Sequence, residues 1–309
     1  MVYAHAPVMA REVMDLLRPE TQGKYLDGTL GGGGHSEKIL ELSSPGGMVL
    51  GLDWDEEAIA AAGQRLARFG DRLVVRRANF REAGGILQQL GWNRVDGVLL
   101  DLGFSSHHVE SPERGFSFQA EARLDMRMDR RQSLDAGEIV NNFPVPELER
   151  ILREYGEEPR ARRVAAAISA ERKRNGIAST RQLAELVARV VGTRKFRIHP
   201  ATRTFQALRI AVNRELENLG DFLEDAYELL ISKGRMVVIS FHSLEDRLVK
   251  QAFRKWSRSC LCPPKTPLCR CGWSQKVRLL TPRPLLPSRA ELQRNPRARS
   301  AKLRAVERL

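Results

Sequence analysis

Asp27, Asp53, Asn79 with Phe80, and Asp101 recur along the first third of the chain, and the first two are separated by TLGGGGHS, a run of four glycines closed by a histidine. A glycine inside a helix or strand weakens it by roughly 0.5–1 kcal/mol relative to alanine. Four in a row are expected only where the backbone itself must turn tightly or pass close to a ligand. Spacing separates the ligand classes. A phosphate loop needs a lysine directly after its second glycine; Gly28 and Gly33 have the right gap, but Gly34 stands in the lysine's place. A dinucleotide turn needs G-x-G-x-x-G; Gly31 and Gly33 begin it, but Ser36 stands where the third glycine belongs.

The remaining candidate carries no phosphate: S-adenosyl-L-methionine. An acid at the end of the first strand (Asp27) precedes its glycine loop. An acid at the end of the second strand takes the ribose hydroxyls, and Asp53, twenty residues after Gly33, ends VLGLD. A carboxylate suits that task because it only accepts hydrogen bonds and two hydroxyls can both donate. Asn79 and Phe80 would meet the adenine with one polar and one aromatic group. Asp101 would stand near the sulfonium and the incoming substrate. Alone, the glycines could be a tight turn and Asp53 a helix cap. Ligand-type residues at four successive strand ends are harder to explain that way.

The elements that would position these residues alternate. KYLDGTL, MVLGLDWD (48–55), RLVVRRANF (72–80) and VDGVLLDLGFSS (95–106) are apolar strands, separated by the helices HSEKILEL, DEEAIAAAGQRLARFG and REAGGILQQL. Asp55 is the expected N-cap of the second helix, Ile59, Ala62 and Leu66 its apolar stripe, and Gly70 its stop. Strands alternating with helices mean an α/β, doubly wound parallel sheet covered on both faces. Between about 110 and 218 the strand signal is replaced by helical periodicity. DFLEDAYELL is then helical, GRMVVISFHS (234–243) a strand and LEDRLVKQAFRKW a helix. This predicts a helical domain (111–218) inserted into an α/β domain (1–110 and 219–309). The last fifty residues read as irregular, with KVRLLTP as a possible closing strand.

Hydrophobic residues make up 42% of the 309 and charged residues 29%, the balance of a globular chain with no run long enough for a membrane span. MVYAHAPVMAREVMDLL has no basic segment leading into an apolar one, so a cytoplasmic protein is expected. The net charge of +13 is segregated: residues 1–100 carry 11 basic against 13 acidic side chains, 158–214 carry 14 against 3, and 247–309 carry 17 against 2. Two basic blocks imply a polyanionic partner, expected at one cleft bordered by both blocks; a merely solvated face is the alternative.

The chain resembles the RsmH (MraW) family of bacterial methyltransferases through YLDGTLGGGGHS, GLDWD, DGVLLDLGFSS, ERGFSF, LDMRM, YGEEPRARRVAAAI, HPATRTFQALRIAVNREL, SFHSLEDRLVK and NPRARSAKLRAVER. The resemblance implies a class I S-adenosylmethionine-dependent methyltransferase domain, Rossmann-like with a mostly parallel sheet, carrying an inserted all-helical domain. It implies methylation of the N4 amino group of a cytosine in 16S ribosomal RNA of the small subunit. It also implies cofactor contacts at Gly33, Gly34, His35, Asp53, Phe80 and Asp101. Where the family carries proline and glutamine after DLGxSS, this chain has His107 and His108, so a cofactor contact at His108 rests on a changed side chain. From residue chemistry alone, a methyltransferase of DNA or protein, or an assembly factor that kept the fold without the activity, stays open. Intact Asp27, Asp53 and Asp101 argue against the last.

The exocyclic amine of cytosine is a poor nucleophile, so alignment and acceptors for its N–H groups are what the site must supply. Asp101 and Ser105 are the expected catalytic acceptors, with Phe104 and Phe116 as stacking partners for an unstacked base. In HPATRTFQALRIAVN, Phe205, Leu208 and Val212 read as core, whereas Arg203, Gln206 and Asn213 could face substrate. His242 opens toward the ligand edge or belongs to the core. Cys260, Cys262, Cys269 and Cys271 form C-x-C…C-x-C, a pattern open to zinc or to free thiols.

Overall fold

The computed structural model describes residues 7–103, 111–192, 199–263, 266 and 268–309. It divides into two compact units, Met1–Gly103 with Leu216–Leu309, and Phe104–Glu215.

The first unit is built on seven strands: β1 (Lys24–Asp27), β2 (Met48–Asp53), β3 (Leu73–Arg77), β4 (Val95–Asp101), β5 (Leu230–Ser240), β6 (Val277–Leu279) and β7 (Lys302–Arg308). Their order is β3-β2-β1-β4-β5-β7-β6. β1 through β5 pair in parallel, and β7 runs antiparallel to both β5 and β6. This is the class I, Rossmann-like methyltransferase sheet. Alternation along the strands assigns two buried faces. Leu26, Leu50, Val98, Leu100, Met236 and Val238 join one core cluster, and Tyr25, Val49, Leu99, Val237 and Ile239 join the other. The chain reverses its strand order between β1 and β4, and ligands bind at the carboxyl ends of the strands beside such a switch point.

Four helices, α1 (Ala10–Leu17), α2 (Gly34–Leu42), α3 (Glu56–Leu66) and α4 (Ala83–Gln89), serve this half of the sheet. Asp55 caps α3 by accepting from Glu57 N–H at 2.9 Å, the cap the sequence predicts. Gly70 does not end that helix directly. A 3-10 segment, Ala67–Arg72, continues it and kinks at Gly70, where φ is 53°.

The C-terminal stretch corrects the expectation of irregular chain. KVRLLTP does supply β6, but AKLRAVERL forms β7, which lies between β5 and β6. Its charged residues hid it. Leu303, Ala305 and Val306 are buried as in any core strand, and Arg304 and Glu307 are buried with them. Arg304 makes two bonds to Asp246, of 2.7 and 3.3 Å. Glu307 takes Arg235 at 2.9 Å and Arg278 at 2.6 Å. Part of the C-terminal basic block is therefore spent inside the fold. DFLEDAYELL is likewise not one helix: a helix ends at Phe222 and a 3-10 turn follows over Ala226–Leu229.

The second unit is helical around its own core, in which Leu148, Ile151, Val164, Ile168, Leu183 and Val187 are buried. Its helices include Val145–Glu154, Ala161–Asn175, Thr180–Val191 and Thr202–Asn213. No helix among the described residues is long and apolar enough to cross a membrane.

Candidate active site

The carboxyl ends of β1, β2 and β4 meet around the glycine loop. β1 closes on Asp27, which is 1% exposed and accepts Ser36 Oγ–H at 2.6 Å and Thr29 N–H at 3.2 Å. Burial pushes this carboxyl above its ordinary range, against the Ser36 hydroxyl, which favours the charged form. The loop then turns at Gly33, whose φ of 77° is left-handed backbone suited to glycine. A Cβ there would stand 2.8 Å from Leu66 Cδ1, so α3 also closes the space. Gly33 is the N-cap of α2, and Gly34 and His35 begin that helix, where the first amides have no helical partner. Gly34 itself packs against Pro7.

Asp53, at the end of β2, is half-buried, and two backbone amides orient it: Gly31 N–H to Oδ2 at 2.8 Å and Asp55 N–H to Oδ1 at 2.9 Å. A carboxylate offers about four acceptor positions, so one side chain can serve several donors. The same side chain thus holds the glycine loop and remains chemically able to receive ribose hydroxyls.

At the end of β4, Asp101 N–H donates to Thr29 Oγ1 at 2.6 Å, which ties this strand end to the start of the loop. Asp101 Oδ2 lies 3.4 Å from His35 Nε2, and the histidine side chain is 6% exposed. Among the described residues, neither imidazole nitrogen nor Asp101 Oδ1 has a hydrogen-bond partner, although all three atoms are buried. Buried polar atoms are nearly always bonded, so this cluster has the character of a site that completes its hydrogen bonds with a bound group. A sulfonium-bearing amino acid nucleoside fits that donor and acceptor set: acids for the ribose and the cationic end, helix amides for the carboxylate, and a loop with little side-chain bulk between them.

Other expected residues are placed differently. Asn79 caps a 3-10 turn, accepting from Arg81 N–H at 3.0 Å, and Glu82 returns a bond to Asn79 N–H. Phe80 is half-buried and meets Phe222 edge-on, with ring centroids 5.5 Å apart. His242 is the N-cap of the helix Ser243–Trp256. Its Nδ1 accepts from Glu245 N–H at 3.4 Å, and Nε2 lies 3.1 Å from Glu245 Oε1. Asn213 and Gln206 do not face outward for a substrate. Asn213 is 1% exposed; its Oδ1 accepts from Met128 N–H, and its Nδ2 donates to the carbonyls of Met126 and Arg209. Gln206 donates to Tyr155 O at 3.0 Å. Both are sequence-remote struts of the helical unit, which helical spacing by itself does not reveal. Arg203 is exposed, and Phe116 packs on the helical core. Phe104, Ser105, His107 and His108 lie outside the described residues.

Sequence reasoning passed over Thr29 and Ser36, which position Asp101 and Asp27. Ser36 was used only to exclude the dinucleotide turn. Its place one helical step after the glycines, nine residues from an acid, was the available signal.

The MraW methylase family model matches residues 2–309. Among curated relatives, the Ribosomal RNA small subunit methyltransferase H of Thermomicrobium roseum is 53% identical over 305 residues, spanning 99% of this chain and 94% of that one. The protein of the same name from Syntrophotalea carbinolica is 51% identical, spanning 100% and 99%. That from Heliobacterium modesticaldum is 48% identical over the full length of both.

Proposed function

This chain belongs to the MraW methylase family, and from that premise we propose that it transfers the methyl group of S-adenosyl-L-methionine to the N4 amine of a cytosine in 16S ribosomal RNA. Its relatives' shared name, a methyltransferase of small-subunit ribosomal RNA, supports the substrate class. The observation that carries the chemistry is the His35–Asp101 pair at the carboxyl ends of the strands beside the β1–β4 switch point, where buried atoms of both side chains lack hydrogen-bond partners among the described residues.

The cofactor supplies an electrophilic methyl on a sulfonium. The chain's own residues do the rest. Asp53 receives the ribose hydroxyls and holds the glycine loop against them. The first amides of α2 receive the carboxylate, and buried Asp27 anchors the loop through Ser36 and the Thr29 amide. Phe80, steadied by Phe222, flanks the adenine. Asp101 Oδ1 accepts an N–H of the target amine, turning the nitrogen lone pair toward the methyl. The same carboxylate can take the proton that this nitrogen sheds. Ser105 and His108, which follow Asp101 in sequence, are assigned by the family resemblance to substrate and cofactor respectively. The partner is the small ribosomal subunit or its 16S RNA in the cytoplasm, held by the basic blocks.

Incubation with methyl-labelled cofactor and 30S particles, naked RNA, DNA or bulk protein tests this reading. Label is expected in 16S RNA as N4-methylcytidine after nucleoside digestion. Label in another nucleoside would overturn the N4 assignment, and label only in DNA or protein would overturn the substrate.

A further inference from the structure

All four cysteines lie in one excursion of the chain. The helix Ser243–Trp256 leaves β5 and runs back along the sheet, so its last turn lies at the end opposite the strand termini that carry Asp53 and Asp101. Lys276 N–H returns to Trp256 O at 2.8 Å and closes the excursion just before β6. Within it, Cys260, Cys262, Cys269 and Cys271 place their sulfurs within 4.8 Å of one another. The separations are 3.4 Å (Cys260–Cys269), 3.7 Å (Cys260–Cys271), 3.9 Å (Cys262–Cys269) and 3.5 Å (Cys269–Cys271).

We propose that these four cysteines bind one Zn²⁺ as a closed, structural tetrathiolate site. Sulfurs about 2.3 Å from a tetrahedral zinc stand about 3.8 Å apart along the tetrahedron's edges. The observed separations bracket that value. A disulfide needs a separation of about 2.05 Å, and all four cysteines are free. Backbone amides already point at the sulfurs: Cys262 N–H to Cys260 Sγ at 3.3 Å, Leu261 N–H to Cys271 Sγ at 3.4 Å, and Arg270 N–H to Cys262 Sγ at 3.4 Å. Such N–H groups stabilise thiolate charge better than thiol. C-x-C spacing differs from the usual C-x2-C, but two such pairs facing each other still supply four ligands from two short turns.

The surroundings explain the need. Among the described residues between Cys260 and Gly272, Leu268 is 73% exposed, and Arg270 and Gly272 are exposed. A segment that cannot bury a core is held by metal where it must keep a shape. The shape here presents Arg258 and Arg270. Trp273 donates its indole N–H to Arg258 O, and its ring lies 5.7 Å from Lys255 Nζ and 5.2 Å from Lys276 Nζ. Four protein ligands leave no position for a substrate, so the metal takes no part in methyl transfer. On binding, four S–H bonds are replaced by four Zn–S bonds and the protons pass to solvent.

Tag-free chain, purified without added metal, tests the site. Elemental analysis should return one zinc per chain. Replacement by Co²⁺ should give the intense thiolate charge-transfer and tetrahedral ligand-field bands. Adding Zn²⁺ to the reduced apo chain should release about four protons at a pH below the thiol range. Cys260→Ser with Cys271→Ser should remove the metal and lower thermal stability, yet leave S-adenosylmethionine affinity within twofold. Should the double variant not fold, chelator treatment of the unaltered chain gives the same comparison. Substoichiometric zinc with four titratable thiols, a Co²⁺ spectrum lacking thiolate bands, or metal retained after substitution of all four cysteines would overturn the proposal.

Discussion

Two regions of the same sheet use buried charge in opposite ways. At the carboxyl ends of β1 and β4, His35 and Asp101 keep buried polar atoms without hydrogen-bond partners among the described residues, and buried Asp27 accepts from a hydroxyl and a backbone amide. Along β5 and β7, by contrast, Asp246 is matched to Arg304, and Glu307 to Arg235 and Arg278. A matched buried pair stabilises the fold only as long as both partners remain. An incompletely bonded cluster costs stability and is kept where a ligand completes it. The first region reads as a site and the second as a seam, though both are rich in charge.

The largest expected break in that comparison is at Asp53. Asp53→Ala removes hydrogen bonds to a charged acceptor worth about 1.5–3 kcal/mol each. Cofactor affinity is therefore expected to fall at least about a hundredfold by calorimetry, with the fold intact by circular dichroism. Unchanged affinity in a folded protein would remove Asp53 from the ribose.

On the seam, Arg304→Met leaves Asp246 buried without its closest cation, and loss of one partner from a buried pair costs about 3–5 kcal/mol. Denaturant unfolding should show that loss, while turnover per folded molecule stays unchanged.

Proton linkage sharpens the same contrast. Burial alone would raise the Asp246 carboxyl, but Arg304 and Lys302 outweigh it and hold it below its ordinary range. Its contribution is present above the unfolded-state value and is lost as pH falls through the lower folded one. Asp27 is raised by burial, so its folded form binds the proton more tightly. Its contribution is complete below the unfolded value and is lost as pH rises through the folded one. Asp27→Asn should therefore flatten stability on the upper side of the carboxylate range, and Arg304→Met on the lower. Identical pH profiles for the two variants would refute the distinction between the two regions.

Asp101→Asn is expected to lower turnover by about a hundredfold with a much smaller change in cofactor Kd. Equal losses in both would make Asp101 a cofactor ligand only.

The smallest effect concerns Lys173 and Arg174, exposed at the end of the helix Ala161–Asn175; neighbouring Arg172 is tied to Val140 O at 2.9 Å. If both side chains meet phosphate, neutralising them should flatten the log–log salt dependence of particle binding by about 0.7–0.9 per contact. An unchanged slope would leave them as solvated charge.

Much of the fold was legible because its parallel strands announce themselves. Strands buried on both faces must be largely apolar, as in MVLGLD (Met48–Asp53) and VDGVLLD (Val95–Asp101). Acids stand out sharply at their ends. β7 escaped because Lys302, Arg304, Glu307 and Arg308 read as surface. Only strands and helices distant in sequence show that Arg304 and Glu307 are paired. Asn213 escaped for a related reason. An amide on a polar helix face looks available until Met126 and Met128, more than eighty residues earlier, are found hydrogen-bonded to it.

By itself, the sequence determined the strand-and-helix rhythm of the first hundred residues, the glycine turn, the acids at the strand ends and the C-x-C pairs. These are local properties, set by periodicity, backbone freedom and side-chain chemistry within a few residues. Tertiary structure alone decided which charges are spent and which are held ready. It set His35 against Asp101, gave Thr29 and Ser36 to the two acids, buried Arg304 on Asp246, and drew four sulfurs to tetrahedral separations. A hydrogen bond or ion pair acts over about 3 Å, and chain separation says nothing about which groups folding will bring within that range.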